Sequence, residues 1–156
     1  MTSTAFIKDS PANWDETAVQ GLLDVAEKSV TESIEELKIR GRCIRKKRSI
    51  GLIPKPGQEI PREILDEAVL RAQEVLDNNT VKNLPFCAFN GGRDVWVDVG
   101  NKRVGVHILS SYLGMPVTQT LHIGDQFLNT GNDYAARDIC PCIWITCKSL
   151  LSFHEI

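Results

Sequence analysis

Asn90-Gly91-Gly92-Arg93-Asp94-Val95-Trp96-Val97-Asp98-Val99-Gly100-Asn101-Lys102 decides how the rest of the chain is read, together with Leu121-His122-Ile123-Gly124-Asp125 further on. Gly91-Gly92 accepts positive φ without a side-chain clash, so a tight reversal costs little there. Cys87-Ala88-Phe89 before it and Val95 to Val99 after it predict the two strands of a hairpin. In the second strand Val95, Val97 and Val99 alternate with Asp94, Trp96 and Asp98. One face is therefore aliphatic and heads for a core. The other presents two carboxylates and an indole to a cleft.

Gly100-Asn101 ends that strand, and a helix is predicted from Lys102. Val104, Ile108, Leu109 and Leu113 recur at helical spacing, flanked by Val106 and Tyr112, and Gly114 and Pro116 stop the run. Lys102 thus falls in the first turn, where a cation is disfavoured by about 0.3–1 kcal/mol because the helix N-terminus is already positive. Either the ammonium shares an anion with the free N–H groups there, or it is a surface lysine that begins a helix.

Thr118 to Ile123 predicts a short strand, and Gly124-Asp125 follows it directly. A loop from Gln126 to Gly131, a short helix from Asn132 to Asp138 and a strand over Cys142-Ile143-Trp144-Ile145 complete a β-loop-α-β unit. Its two strands should be parallel neighbours, and ligands of such sheets bind beyond the carboxyl ends of the strands. Topology puts Asp125 there, and a hard carboxylate at that point suits Mg²⁺. Asp133, at the next helix start, is either a supporting acid that orients groups around Asp125 or an acid favoured by the helix dipole. His122 reads as a packed or capping strand residue, since no second histidine stands at metal-ligand spacing.

Upstream, Asp15 is placed to cap a helix running to about Ile39, with Val19, Leu22, Leu23, Ala26, Val30, Ile34 and Leu37 on one face and Gly41 as its terminator. Arg40, Arg42, Arg45, Lys46, Lys47 and Arg48 then crowd a short stretch before a strand from Ser49 to Ile53. Three readings of this run compete: a solvated strand edge guarded by charge, a phosphate-facing patch, or a nuclear-import or RNA-binding patch. It holds no aromatic residue, which weighs against base stacking on it. Lys55-Pro56-Gly57-Gln58 is a turn. Pro61 suits the first position of a helix whose stripe is Ile64, Leu65, Ala68, Val69, Ala72, Val75 and Leu76, closed by Asn78-Asn79. The expected organisation is an α+β lobe over residues 12–100, an α/β part over 101–146 with the boundary near Gly100 to Lys102, and a tail over 147–156.

The 156 residues carry 42% apolar side chains and a formal charge of −2, which weighs against a dedicated nucleic-acid binder. No apolar run approaches the roughly 20 residues that span a membrane, and Met1 to Pro11 has no apolar core of the kind a secretory signal needs. Cys43, Cys87, Cys140, Cys142 and Cys147 are odd in number and irregular in spacing. They read as reduced thiols of a cytoplasmic protein.

A lysine heading a helix, followed by Gly-Asp after a strand, looks like the later motifs of the haloacid dehalogenase superfamily. More closely, Phe89 to Val106 and Gln119 to Phe127 resemble the fungal IMP-specific 5'-nucleotidases, as do Arg45 to Pro54 and Leu22 to Glu27. The resemblance covers roughly Trp14 to Ile145. It implies an α/β fold: a partial haloacid-dehalogenase-like Rossmannoid core preceded by an α+β cap lobe. It further implies that Lys102 balances charge on the transferred phosphoryl group, that Asp125 binds Mg²⁺, and that Asp94, Trp96 and Lys102 border the nucleotide site. Inosine 5'-monophosphate (IMP) would be the substrate, giving inosine and phosphate; ATP would be an effector, and the full-length enzyme a homo-oligomer. In the family an aspartate attacks phosphorus and a second carboxylate protonates the leaving ribose oxygen. The Asp-x-Asp motif that supplies them occurs nowhere in these residues, and neither does a Ser/Thr on a suitable strand to hold the phosphate. Both would lie upstream of residue 1, and Thr146 to Ile156 also departs from the family. The expectation is therefore a C-terminal portion that is inactive alone. A non-catalytic nucleotide-binding remnant is the second reading, and a basic-patch RNA binder the third.

Overall fold

The computed structural model describes residues 13–79 and 84–146. Cys147, the tail over 147–156 and the polar segment Met1 to Pro11 lie outside the described residues. Helix α1 spans Glu16–Glu36, and the Asp15 carboxylate caps it by accepting from the backbone N–H groups of Thr17 and Ala18, each at 3.2 Å. Val19, Leu22, Leu23, Ala26 and Val30 are all buried on its inner face. The helix stops short of the predicted Ile39. Lys38 turns to φ 52°, and Ile39 N–H donates to Ile34 C=O at 2.9 Å to close the end.

Gly41 is not the terminator that its residue type implied. It opens strand β1, Gly41–Arg45, which pairs antiparallel with β2, Ser49–Pro54. A side chain at Gly41 would press its Cβ to 3.0 Å from the carbonyl oxygen of Ile53, so the close strand approach needs glycine. The basic run conceals β1, because the residues it turns toward the core are Gly41, Cys43 and Arg45, of which only Cys43 packs there.

Helix α2, Arg62–Asn78, follows Pro61, which sits at the cap, one residue before the helical position expected of it. Leu65, Ala68, Val69, Ala72 and Leu76 are its buried stripe. Strands β3, Phe86–Asn90, and β4, Val95–Val99, form the predicted hairpin around Gly92 at φ 93°. The four strands make one antiparallel sheet in the order β1-β2-β4-β3. Both helices cover one face, where Ile50, Leu52, Val95 and Val97 are completely enclosed. By register the opposite face carries Trp96 between Gly51 and Phe89, and Asp98 between Ser49 and Cys87.

Helix α3 runs over Lys102–Leu113, as predicted, with the Asn101 side chain accepting from Val104 N–H at 3.1 Å and Gly114 left-handed at φ 66°. Strand β5, His122–Gly124, and strand β6, Cys142–Trp144, are parallel neighbours. The expected strand from Thr118 is shorter because Val117–Gln119 folds into a 3₁₀ turn, and the expected helix from Asn132 is a 3₁₀ turn over Tyr134–Asp138. The loop after β5 meets the antiparallel lobe through Asn90 N–H of β3, which donates to Thr130 C=O at 2.8 Å, and through Gln73 of α2, which donates to Asn129 C=O at 2.8 Å. No described helix is long and apolar enough to cross a membrane.

Candidate active site

Asp133 is the most completely enclosed polar residue of the described chain, at 0% exposure, and four donors converge on it. Its Oδ1 accepts from the Lys102 ammonium at the start of α3 and from His122 Nε2 on β5 at 2.7 Å. Its Oδ2 accepts from the backbone N–H groups of Asp125 and Gln126 at 3.1 and 3.0 Å. Burial alone would raise the Asp133 pKa. The hydrogen bonds from Lys102, His122 and the Gln126 backbone outweigh it and hold the carboxyl below its ordinary range. The Gly-Asp step has a steric reason: a Cβ at Gly124 would collide with the Asp133 carboxylate, so only glycine lets that group close over the strand end.

The same bonds fix Asp125. Its N–H is held by Asp133, and its C=O accepts from the Trp144 indole on β6 at 2.9 Å. The backbone is clamped from both sides while the exposed carboxylate has no partner among the described residues. That arrangement fits one oxygen ligand of a Mg²⁺ ion, which takes one or two carboxylates and fills its shell with water and phosphate oxygens. Among the described residues no three His, Cys, Asp or Glu side chains gather into a complete metal site. Asp133 is not a second ligand in this arrangement, because both its oxygens are engaged; it supports Asp125 through the backbone. His122 lies in the packed position expected of it, edge-on to Phe127.

The second part of the site is the open face of the antiparallel sheet. Trp96 lies flat on Gly51, where a Cβ would come within 2.7 Å of the indole. The Lys46 ammonium rests over the ring, 3.8 Å from its centroid. A cavity of about 480 Å³ opens here between Lys46, Asp94, Trp96 and Asp98 on the sheet and Gln126 and Asn132 on the later loop. Asn132 Oδ1 accepts from Lys102 Nζ at 2.9 Å, which joins this cavity to the Asp133 centre. Asp125 lines a neighbouring cavity of about 270 Å³, and Gln126 forms the wall common to both. Burial pushes the Asp98 carboxyl up, partly offset by Lys46, and pushes the Cys87 thiol up to about 11.

The basic run splits between two tasks, and the phosphate-patch reading fails for two of its members. Arg45 turns to α1, bonding Asp24 at 2.7 Å, Glu27 at 2.6 Å and Gln20 at 2.8 Å. Arg48 pairs with Glu16 at 2.8 Å. Lys46 alone of these three faces the cavity. Sequence reasoning named Asp98 and Asp133 but missed Lys46, Gln126, Asn132 and Trp144 as lining or clamping residues. Strand alternation would have put Lys46 near Trp96 only with β1 already in hand.

A family profile described as IMP-specific 5'-nucleotidase matches residues 1–149. The IMP-specific 5'-nucleotidase 1 of Yarrowia lipolytica is 44% identical over 135 residues, covering 85% of this chain and 32% of that protein. Among solved structures, the N-terminally truncated, IMP-bound IMP-nucleotidase of Plasmodium falciparum superposes with a TM-score of 0.80 at 37% identity, covering 92% of this chain and 40% of that one. The ATP-bound form of the same enzyme gives a TM-score of 0.72 at 40% identity, covering 85% and 31%. The fold is α/β and haloacid-dehalogenase-like, as the motifs implied. The chain belongs to the IMP-specific 5'-nucleotidase family. It spans about a third of the length of the curated relatives it matches.

Proposed function

We propose that this chain contributes the electrostatic half of a Mg²⁺-dependent phosphatase that hydrolyses IMP to inosine and phosphate, and that it is inactive alone. One observation carries the reading: Lys102 and the Asp125 backbone are tied to the same buried carboxylate. The ammonium is thereby held beside the strand end where phosphate is expected, neutralising charge that builds on the phosphoryl oxygens. The Asp125 carboxylate holds the metal, and Mg²⁺ when bound supplies Lewis-acid stabilisation of those oxygens. Asp94 and Trp96 border the nucleoside end of the site. Residues 12–100 act as the cap lobe and 101–146 as the late part of the core. The ATP-bound relative supports ATP as an effector. Homo-oligomerisation of the whole enzyme and a cytoplasmic location complete the proposal.

The test is reconstitution. The 156-residue chain is mixed with a polypeptide carrying the family's Asp-x-Asp strand, and phosphate release from IMP is followed with and without Mg²⁺. Release is expected only in the mixture with Mg²⁺, and Lys102→Met should abolish it. Turnover by the 156 residues alone, or full activity of Lys102→Met, overturns the assignment. The lack of Asp-x-Asp favours the second reading, a non-catalytic nucleotide-binding remnant, if calorimetry finds Mg²⁺-independent IMP binding and no mixture releases phosphate.

A further inference from the structure

The cavity on the open face of the antiparallel sheet is lined by three charged groups, Lys46, Asp94 and Asp98, whose side chains form no hydrogen bond or ion pair among the described residues. The Lys46 ammonium contacts the Trp96 ring but has no ion pair or hydrogen bond among the described residues. Asp98 is half-buried and its carboxylate accepts no hydrogen bond from the described residues. A carboxylate partly removed from water without a donor is unfavourable. The two groups form no ion pair with each other, yet they line one cavity, with Phe89 and Trp96 as its aromatic walls. Gly51 packs closely against the Trp96 ring and the Lys46 ammonium stands 3.8 Å from its centroid, so both crowd the indole as a stacking platform. What enters this cavity is therefore read at its polar edge.

We propose that Lys46 and Asp98 read the edge of a 6-oxopurine, the ammonium donating to O6 and the carboxylate accepting from N1–H. The inference rests on the nucleotide reading above and names the residues that would make it selective. A 6-aminopurine presents the reverse pattern, an amino donor at position 6 and a bare lone pair at N1. It would set a donor against the ammonium and an acceptor against the carboxylate. One charge pair thus accepts the first base and rejects the second. The cavity also runs the right way: Gln126 and Asn132 close its end toward Lys102, so a base held at Lys46 and Asp98 directs its 5'-phosphate to the Asp133 centre.

Calorimetry of the 156-residue chain with inosine and with adenosine tests this, because neither nucleoside carries a phosphate for Lys102 or Asp125. Inosine should bind at least about tenfold more tightly than adenosine, the scale of one buried group left unpaired. Asp98→Asn should lower the ratio to the part that Lys46 sets alone, since an amide offers an acceptor to one base and a donor to the other. Lys46→Met should weaken inosine about tenfold without weakening adenosine. Lys47→Ala, the neighbouring exposed cation, should leave the ratio unchanged. Circular dichroism checks each variant, and the surface change Lys46→Met carries the test if Asp98→Asn fails to fold. Equal affinities, no inosine binding to a chain that melts cooperatively, or an unchanged ratio in the folded variants overturns the proposal. Nucleoside discrimination without phosphate release in the reconstituted mixture would leave this inference standing and remove the phosphatase reading; release without discrimination would do the reverse.

Discussion

The Asp133 carboxylate accepts from the Lys102 ammonium across 31 residues of chain, and it does so with its side chain only 1% exposed. Four donors lose their acceptor if this group is removed. Asp133→Ala should destabilise the chain by about 3–5 kcal/mol, the scale for breaking a buried charge pair from one side. Asp133→Asn keeps one acceptor oxygen and should lose less. Urea denaturation followed by circular dichroism measures both. A loss under about 1 kcal/mol for Asp133→Ala would mean that other groups hold the strand end.

Acid should unfold the chain through the same residue. The Asp133 pKa is depressed in the folded state, so the unfolded chain binds its proton first. Its contribution is present above the ordinary carboxylate pKa, about 4, and is lost as pH falls toward the lower folded value. Glu16, lowered by its hydrogen bonds to Gln20 and Arg48, acts in the same direction. Stability measured by denaturation should hold steady near neutrality and fall below about pH 4. In Asp133→Asn that acid slope should flatten.

The hairpin and the helix from Lys102 were legible because each is written in local terms. Valine alternation, a Gly-Gly turn and a Gly-Pro stop need no distant partner. Strand β1 was hidden because Arg45 occupies a core-facing position and satisfies its charge on α1, which no periodicity reveals. Asp125 was placed by topology. The convergence on Asp133 was not, since four donors from α3, β5 and a loop meet only in three dimensions. Lys46 stands undistinguished in the basic run for the same reason: among six basic residues, only the fold says which one covers an indole.

Asp98 should be a residue held at the expense of stability. Burial raises its pKa, so the folded state disfavours the ionised form at neutral pH. The sign is opposite to that of Asp133: the penalty exists above the raised folded value and disappears below the unfolded one, near pH 4. Asp98→Asn should therefore raise the melting temperature at pH 7 by about 2–4 °C. At pH 3 the gain should largely vanish. Scanning calorimetry at the two values decides it, and a variant that melts lower at pH 7 would show that Asp98 has a stabilising partner.

Arg45→Ala should leave inosine binding unchanged. Its guanidinium is committed to Asp24, Glu27 and Gln20 on α1, on the side of the sheet away from the cavity. The pairs are largely exposed, so their loss should cost about 1 kcal/mol or less in stability. Calorimetric titration beside the Lys46 variant makes the comparison direct. Equal loss of inosine affinity in both would show that Arg45 also acts on the cavity.

The parallel pair of strands should drive self-association. A two-stranded sheet has two unpaired edges, and β5 and β6 place Ile123 beside Ile143, 55% and 46% exposed. Leu109 and Leu113 on α3 add further apolar surface at 56% and 59%. Large apolar side chains left in water at an unpaired sheet edge favour contact with another surface. Sedimentation should show mass rising with concentration, and an apolar dye should bind the chain in proportion to free monomer. Ile123→Lys with Ile143→Glu introduces an opposite-charge pair across the two strands. It should lower both signals while leaving α1, α2 and the antiparallel sheet folded. A single sedimentation coefficient at every concentration, unchanged in the double variant, would show that this surface is tolerated in water.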